Sequence, residues 1–114
     1  MRALLIALAL VAGSLQAETV KLTSLDWPPY TSESIAMQGA SVAVAKAAFE
    51  AVGIDLQVDF FPWKRAVAYG KDNPEYDGYF PEYYAESLKQ DFILSVPMGN
   101  GPLGFAQSAK SDIN

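Results

Sequence analysis

Met1–Ala17 constrain everything that follows, because they read as an export leader. Arg2 gives the positive start, Ala3 to Gly13 form the apolar run, and Ser14-Leu15-Gln16-Ala17 ends on a small residue before Glu18. The apolar run is too short to span a bilayer comfortably, which favours cleavage over the alternative of an uncleaved N-terminal anchor. Cleavage after Ala17 would leave 97 of the 114 residues to fold outside the cytoplasm. That remainder contains no cysteine, so no disulfide can staple it and a hydrophobic core must suffice. The expected location is the periplasm.

The missing residues narrow the chemistry. There is no histidine, which removes Ser-His and Cys-His catalysis and the usual zinc sites; no metal site and no cofactor are expected. After loss of Arg2, 7 basic residues face 13 acidic ones, for a net charge of −6. Such a surface repels nucleic acid and anionic lipid. A monomer is expected.

The pattern along the chain alternates strand and helix. Val20–Leu25 reads as a first strand, ended by Asp26-Trp27-Pro28-Pro29-Tyr30, where two prolines predict an extended, open loop continuing to Gln38. Gly39–Gly53 reads as a helix, with Val42, Ala45, Phe49 and Val52 on one apolar face and Gly53 suited to the position after its end. Asp55–Phe60 alternates strictly, with Leu56, Val58 and Phe60 on one side. Pro62 opens a second helix and Gly70 ends it. Asp77–Phe80 is a short strand, Glu82–Gln90 a helical turn, and Phe92–Ser95 and Leu103–Gln107 two further strands. The order predicts an α/β fold: a mixed, mostly parallel sheet with helices on both faces. It is half of a doubly wound lobe, with residues 108–114 leading out of it, so the chain reads as part of a longer protein.

The order and spacing of these motifs are familiar. Asp26-Trp27-Pro28-Pro29-Tyr30, Val52-Gly53-Ile54, Phe61-Pro62-Trp63, Tyr76-Asp77-Gly78 and Phe92-Ile93-Leu94-Ser95-Val96-Pro97 together resemble the family 3 extracellular solute-binding proteins. These are periplasmic receptors that deliver polar amino acids and related solutes to ABC importers. The resemblance covers Val20 to about Ile113. It implies a type II periplasmic-binding-protein lobe, residues 18–107, followed by the first hinge crossing, with the second lobe outside this chain. It also implies a small polar solute as ligand and a membrane ABC permease as partner.

Candidate binding residues follow from both readings. Trp27, just after the first strand, stands where open α/β folds hold ligands, and an aromatic face there can stack on planar groups or attract cations. It also suits a core or lid position. Tyr30 is a candidate for the cleft rim. Trp63 fits a core position, and Lys64 and Arg65 a solvated helix face, although an anion would be favoured at that helix start. By resemblance, Asp77-Gly78-Tyr79-Phe80-Pro81-Glu82-Tyr83-Tyr84 enters the cleft, with Glu82 and Tyr84 giving polar contacts. Amino-acid receptors of the family carry an arginine further on that holds the ligand's α-carboxylate in a two-bond fork. Here the corresponding place falls on Lys89 or Leu88, and lysine does not reproduce the fork. A carboxylate at Glu82, close to Trp27, Tyr83 and Tyr84, suits a cationic or polyhydroxyl ligand; it also suits an exposed surface.

Binding without catalysis is the expected activity. Two alternatives are an enzyme on the same fold, of the cyclic-acid dehydratase type with Glu82 as its acid or base, and a sensor module of a membrane signalling protein.

Overall fold

The computed structural model of the protein describes residues 15–110. The expected leader lies outside the described residues except for 15–17, and so do residues 111–114. Among the described residues no helix is long and apolar enough to cross a membrane.

Three parallel strands, β1 (Glu18–Ser24), β2 (Ile54–Phe60) and β3 (Gly78–Tyr79), form one sheet in the order β2-β1-β3. β1 is central and pairs with β2 over its whole length, Glu18 opposite Ile54 and Ser24 opposite Phe60. Its other side pairs with β3 only at Leu22–Gly78 and Thr23–Tyr79. Two helices, α1 (Ala40–Glu50) and α2 (Trp63–Asp72), make the connections.

The period of two along the strands sorts the helices onto opposite faces. Leu56, Val58 and Phe80 bury against Val42 and Ala45 of α1, with Val20, Leu22, Phe49 and Phe60 packed around them. Thr23, one residue on from Leu22, points to the other face. There its buried hydroxyl donates to the Ala66 carbonyl of α2 at 2.6 Å. Beside it the parallel rings of Tyr69 and Tyr76 lie 6.1 Å apart, with Phe61 edge-on to both. The Tyr76 hydroxyl donates to Asp59 Oδ2 at 2.9 Å. The α/β class and the helices on both faces are therefore observed, while the sheet expected to be mixed is wholly parallel among the described residues.

The loop after β1 is a tight turn and not the open stretch that its prolines suggest. Although Pro28 and Pro29 lack amide hydrogens, the remaining donors close the turn: Trp27 N donates to Thr31 O at 2.6 Å, and Tyr30 N and Thr31 N both donate to Trp27 O at 3.0 Å. The Thr31 hydroxyl donates to Leu25 O at 2.7 Å. Helix α1 then docks end-on, with Ala40 N and Ser41 N donating to Pro29 O and Tyr30 O at 3.0 and 2.9 Å. This approach requires glycine at position 39. Its φ is +100°, and an added Cβ would stand 2.6 Å from the Tyr30 carbonyl carbon.

Several expectations change. Val52, placed by periodicity on the buried face of α1, lies past its end and is 71% exposed. Gly70 does not end α2, which runs on to Asp72. A Cβ on Gly70 would stand 2.8 Å from the Gly78 carbonyl carbon and 2.9 Å from Tyr79 Cβ, so the glycine marks close helix–strand packing. The expected strand 77–80 is reduced to Gly78–Tyr79, and the helical turn of 82–90 to a 3-10 turn at Glu86–Gln90. Phe92–Ser95 and Leu103–Gln107 form no strand. Phe92 packs edge-on against Tyr79 at 5.0 Å, but Ile93, Val96, Leu103 and Phe105 stand out in solvent. Neither segment has a ladder partner, and apolar, strand-prone residues cannot make a strand without one.

Candidate functional site

The topology creates a crevice at the carboxyl ends of the strands. The chain leaving β1 goes to α1 on one face, and the chain leaving the adjacent β2 goes to α2 on the other. Where neighbouring connections diverge in this way, the space above the strand ends stays open. A cleft of about 530 Å³ lies there, between Leu25, Asp26 and Ser32–Ser34 after β1 and Phe60–Trp63 after β2.

A second cleft, of about 330 Å³, adjoins it across Leu25 and Trp63 and is completed by Trp27, Pro81, Glu82 and Tyr83. All three strand ends contribute to it. Its aromatic walls are unusually open to solvent: Trp27 is 37% exposed, Trp63 36% and Tyr83 43%. Each of them packs against another ring. Trp27 packs on Tyr30, with ring centroids 4.6 Å apart, and meets Tyr83 edge-on at 6.3 Å. Trp63 meets Tyr79 edge-on at 5.5 Å.

Glu82, an exposed residue, is the charged group among the described residues lining this second cleft, and each of its oxygens accepts a hydrogen bond. The Tyr79 hydroxyl donates to Oε2 at 2.9 Å, and the Tyr83 amide donates to Oε1 at 2.8 Å. A carboxylate has about four lone-pair sites, so each oxygen can still accept from a ligand. Burial, and then the hydrogen bond to Glu82, raise the Tyr79 hydroxyl well above the ordinary tyrosine range, which keeps it a donor to Glu82.

The five candidate residues separate into two groups. Trp27 and Glu82 form walls of one cleft, and Tyr30, itself exposed and lining neither cleft, packs on Trp27. Tyr84 and Lys89 line neither cleft. Both turn to Glu86 instead: the Tyr84 hydroxyl donates to Glu86 Oε2, Lys89 forms an ion pair with Glu86 at 3.1 Å, and Lys89 Nζ lies 5.5 Å from the Tyr84 ring centre. Tyr84 and Lys89 hold that exposed turn together. Their neighbour Glu86 is lowered below the ordinary carboxyl range by these same two partners, the tyrosine first.

Trp63 is the wall residue that the sequence reading assigned to the core. The signal was present: Trp63 follows the end of β2 as Trp27 follows the end of β1, and the strand-end argument applies equally to both. Lys64 and Arg65 are exposed and line neither cleft. Among the described residues no cluster of three or more carboxylates is placed to hold a metal ion.

Comparison with protein-family models, curated proteins and solved structures finds no match to this chain.

Proposed function

We propose that the protein is an exported solute-binding receptor that captures a small polar solute at the carboxyl ends of its strands. The observation that carries this reading is the open, ring-packed aromatic wall of Trp27, Trp63 and Tyr83 around a hydrogen-bonded carboxylate. Aromatic rings left a third or more exposed in a concave site, each held by a second ring, offer stacking surface to a ligand at little entropic cost. The family resemblance supports the same reading. It adds a type II periplasmic-binding-protein lobe, a location in the periplasm and a membrane ABC permease as the partner that receives the solute.

The test is a fluorescence titration of the full chain, reading its tryptophans, against a panel of small amines, neutral amino acids, sugars and dicarboxylates. Saturable binding of at least one solute is expected, weakened about tenfold in Trp27→Ala, as loss of one stacked aromatic implies. The absence of saturable binding across the panel, or unchanged affinity in the variant, would overturn the reading.

A further inference from the structure

The lining of the two clefts is one-sided in charge. Asp26 and Glu33 line the first and Glu82 the second, and among the described residues no lysine or arginine lines either. Of the basic side chains nearest along the sequence, Lys21 places its Nζ 5.5 Å from the Tyr76 ring centre, and the others are paired elsewhere or lie outside both linings. Lys89 is paired with Glu86, Lys71 is paired with Asp91 at 2.9 Å, and Lys64 and Arg65 lie outside both linings. A ligand carboxylate placed here would meet carboxylates and no counter-charge. The hydroxyl and indole donors of the lining could replace part of its hydration, but no cationic partner would offset the repulsion.

The same lining is suited to the opposite charge. From the combination of Trp27, Trp63 and Tyr83 with the Glu82 carboxylate, and the lack of a basic side chain in the lining among the described residues, we infer that the second cleft takes a small organic cation that carries no carboxylate. This inference rests on the solute-binding reading above and narrows its ligand class. Tryptophan and tyrosine faces attract a cation centred within about 6 Å of the ring, and tryptophan does so most strongly. Glu82 supplies the counter-charge, held in place by Tyr79 and by the Tyr83 amide, so little ordering remains to be done on binding. At about 330 Å³ the cleft is at the small end of ligand sites, which fits a compact head group. The acidic balance of the whole chain, 13 acidic to 8 basic residues, concentrates cations around it.

The experiment compares choline with 3,3-dimethyl-1-butanol, its uncharged isostere, in tryptophan-fluorescence titrations of the full chain. Butylammonium and glutarate serve as further arms. Choline or butylammonium is expected to bind at least about tenfold tighter than the isostere, with no saturation by glutarate. Glu82→Gln keeps the shape and is expected to remove most of the difference between choline and the isostere. Trp27→Leu is expected to weaken choline while leaving the far-ultraviolet circular dichroism unchanged. Equal binding of choline and isostere, or preferred binding of glutarate, would overturn the cation inference and leave the solute-binding reading standing. No saturable binding by any probe or by the wider panel would overturn both.

Discussion

Replacing Gly70 by alanine separates packing from helix propensity, because the two predict opposite signs. Position 70 lies inside α2, where alanine is favoured over glycine by about 1 kcal/mol. On propensity alone the variant gains stability. The structure requires a loss. The new Cβ would stand 2.8 Å from the Gly78 carbonyl carbon, 2.9 Å from Tyr79 Cβ and 3.0 Å from the Gly78 oxygen. Two of these neighbours are strand backbone and cannot swing aside, whereas carbon atoms in contact prefer about 3.5–4.0 Å. The helix must therefore lift from β3 by several tenths of an ångström or more. Such overpacking costs about 1–3 kcal/mol. Lifting also stretches the 2.6 Å bond from Thr23 to Ala66, a buried contact worth about 1 kcal/mol net. Against the propensity gain, the expected net loss is about 1–3 kcal/mol. A small domain has only about 5–15 kcal/mol in total, so the change is readily measured.

The assay is urea unfolding followed by circular dichroism, with Ala68→Gly as the control. Ala68 is exposed on the same helix, so that variant should lose only the propensity term, about 0.5–1 kcal/mol. Gly70→Ala should lose at least as much, although it makes the reverse substitution. It should also alter the native tryptophan emission, because α2 carries Trp63 against Tyr79. A Gly70→Ala midpoint above the wild-type value would refute the close-packing argument.

Two further outcomes follow from the core and from the tyrosine cluster. Leu56→Ala should cost about 2–4 kcal/mol, since Leu56 is buried beneath α1, while Val52→Ala should stay within about 0.5 kcal/mol of wild type; urea midpoints decide, and comparable losses would contradict the assigned face. Tyr76 is raised from 10.0 to about 12 by burial and then by its bond to Asp59, so its contribution is complete below pH 10 and is lost as pH rises through 12, because the unfolded tyrosine ionises first. Tyr76→Phe should flatten that alkaline loss in denaturant midpoints measured between pH 9 and 12, with Tyr79 accounting for what persists; identical profiles would sink the assignment.

The parts of this fold legible in the sequence are those where one periodicity had one possible partner. Leu56 and Val58 alternate with polar neighbours, and only one face of a sheet can bury such a set, so β2 and its orientation followed directly. Val42 and Ala45 marked the matching stripe on α1. Gly70 was not legible, because glycine both ends helices and permits close approach of backbones, and only the neighbouring strand decides between the two. Phe92–Ser95 and Leu103–Gln107 misled for a related reason. Their residues suit strands, but pairing is a property of two segments, and β3 offers only Gly78–Tyr79 before Pro81 removes a donor.

The candidate site divides along the same line. Trp27 could be placed from the sequence because it immediately follows a well-marked strand. Glu82 could be suspected, but its orientation depends on the Tyr79 hydroxyl and the Tyr83 amide, contacts that no spacing rule supplies. Tyr84 and Lys89 sit within a few residues of Glu82 and carry chemistry equally suited to a ligand. Glu86 draws both of them away, and an ion pair three residues apart is satisfied locally before any ligand arrives. Charge near a cleft therefore counts toward a candidate site only when it has no nearer counter-charge. That rule removes Lys89 from the site and keeps Glu82, whose partners are hydrogen-bond donors and not cations.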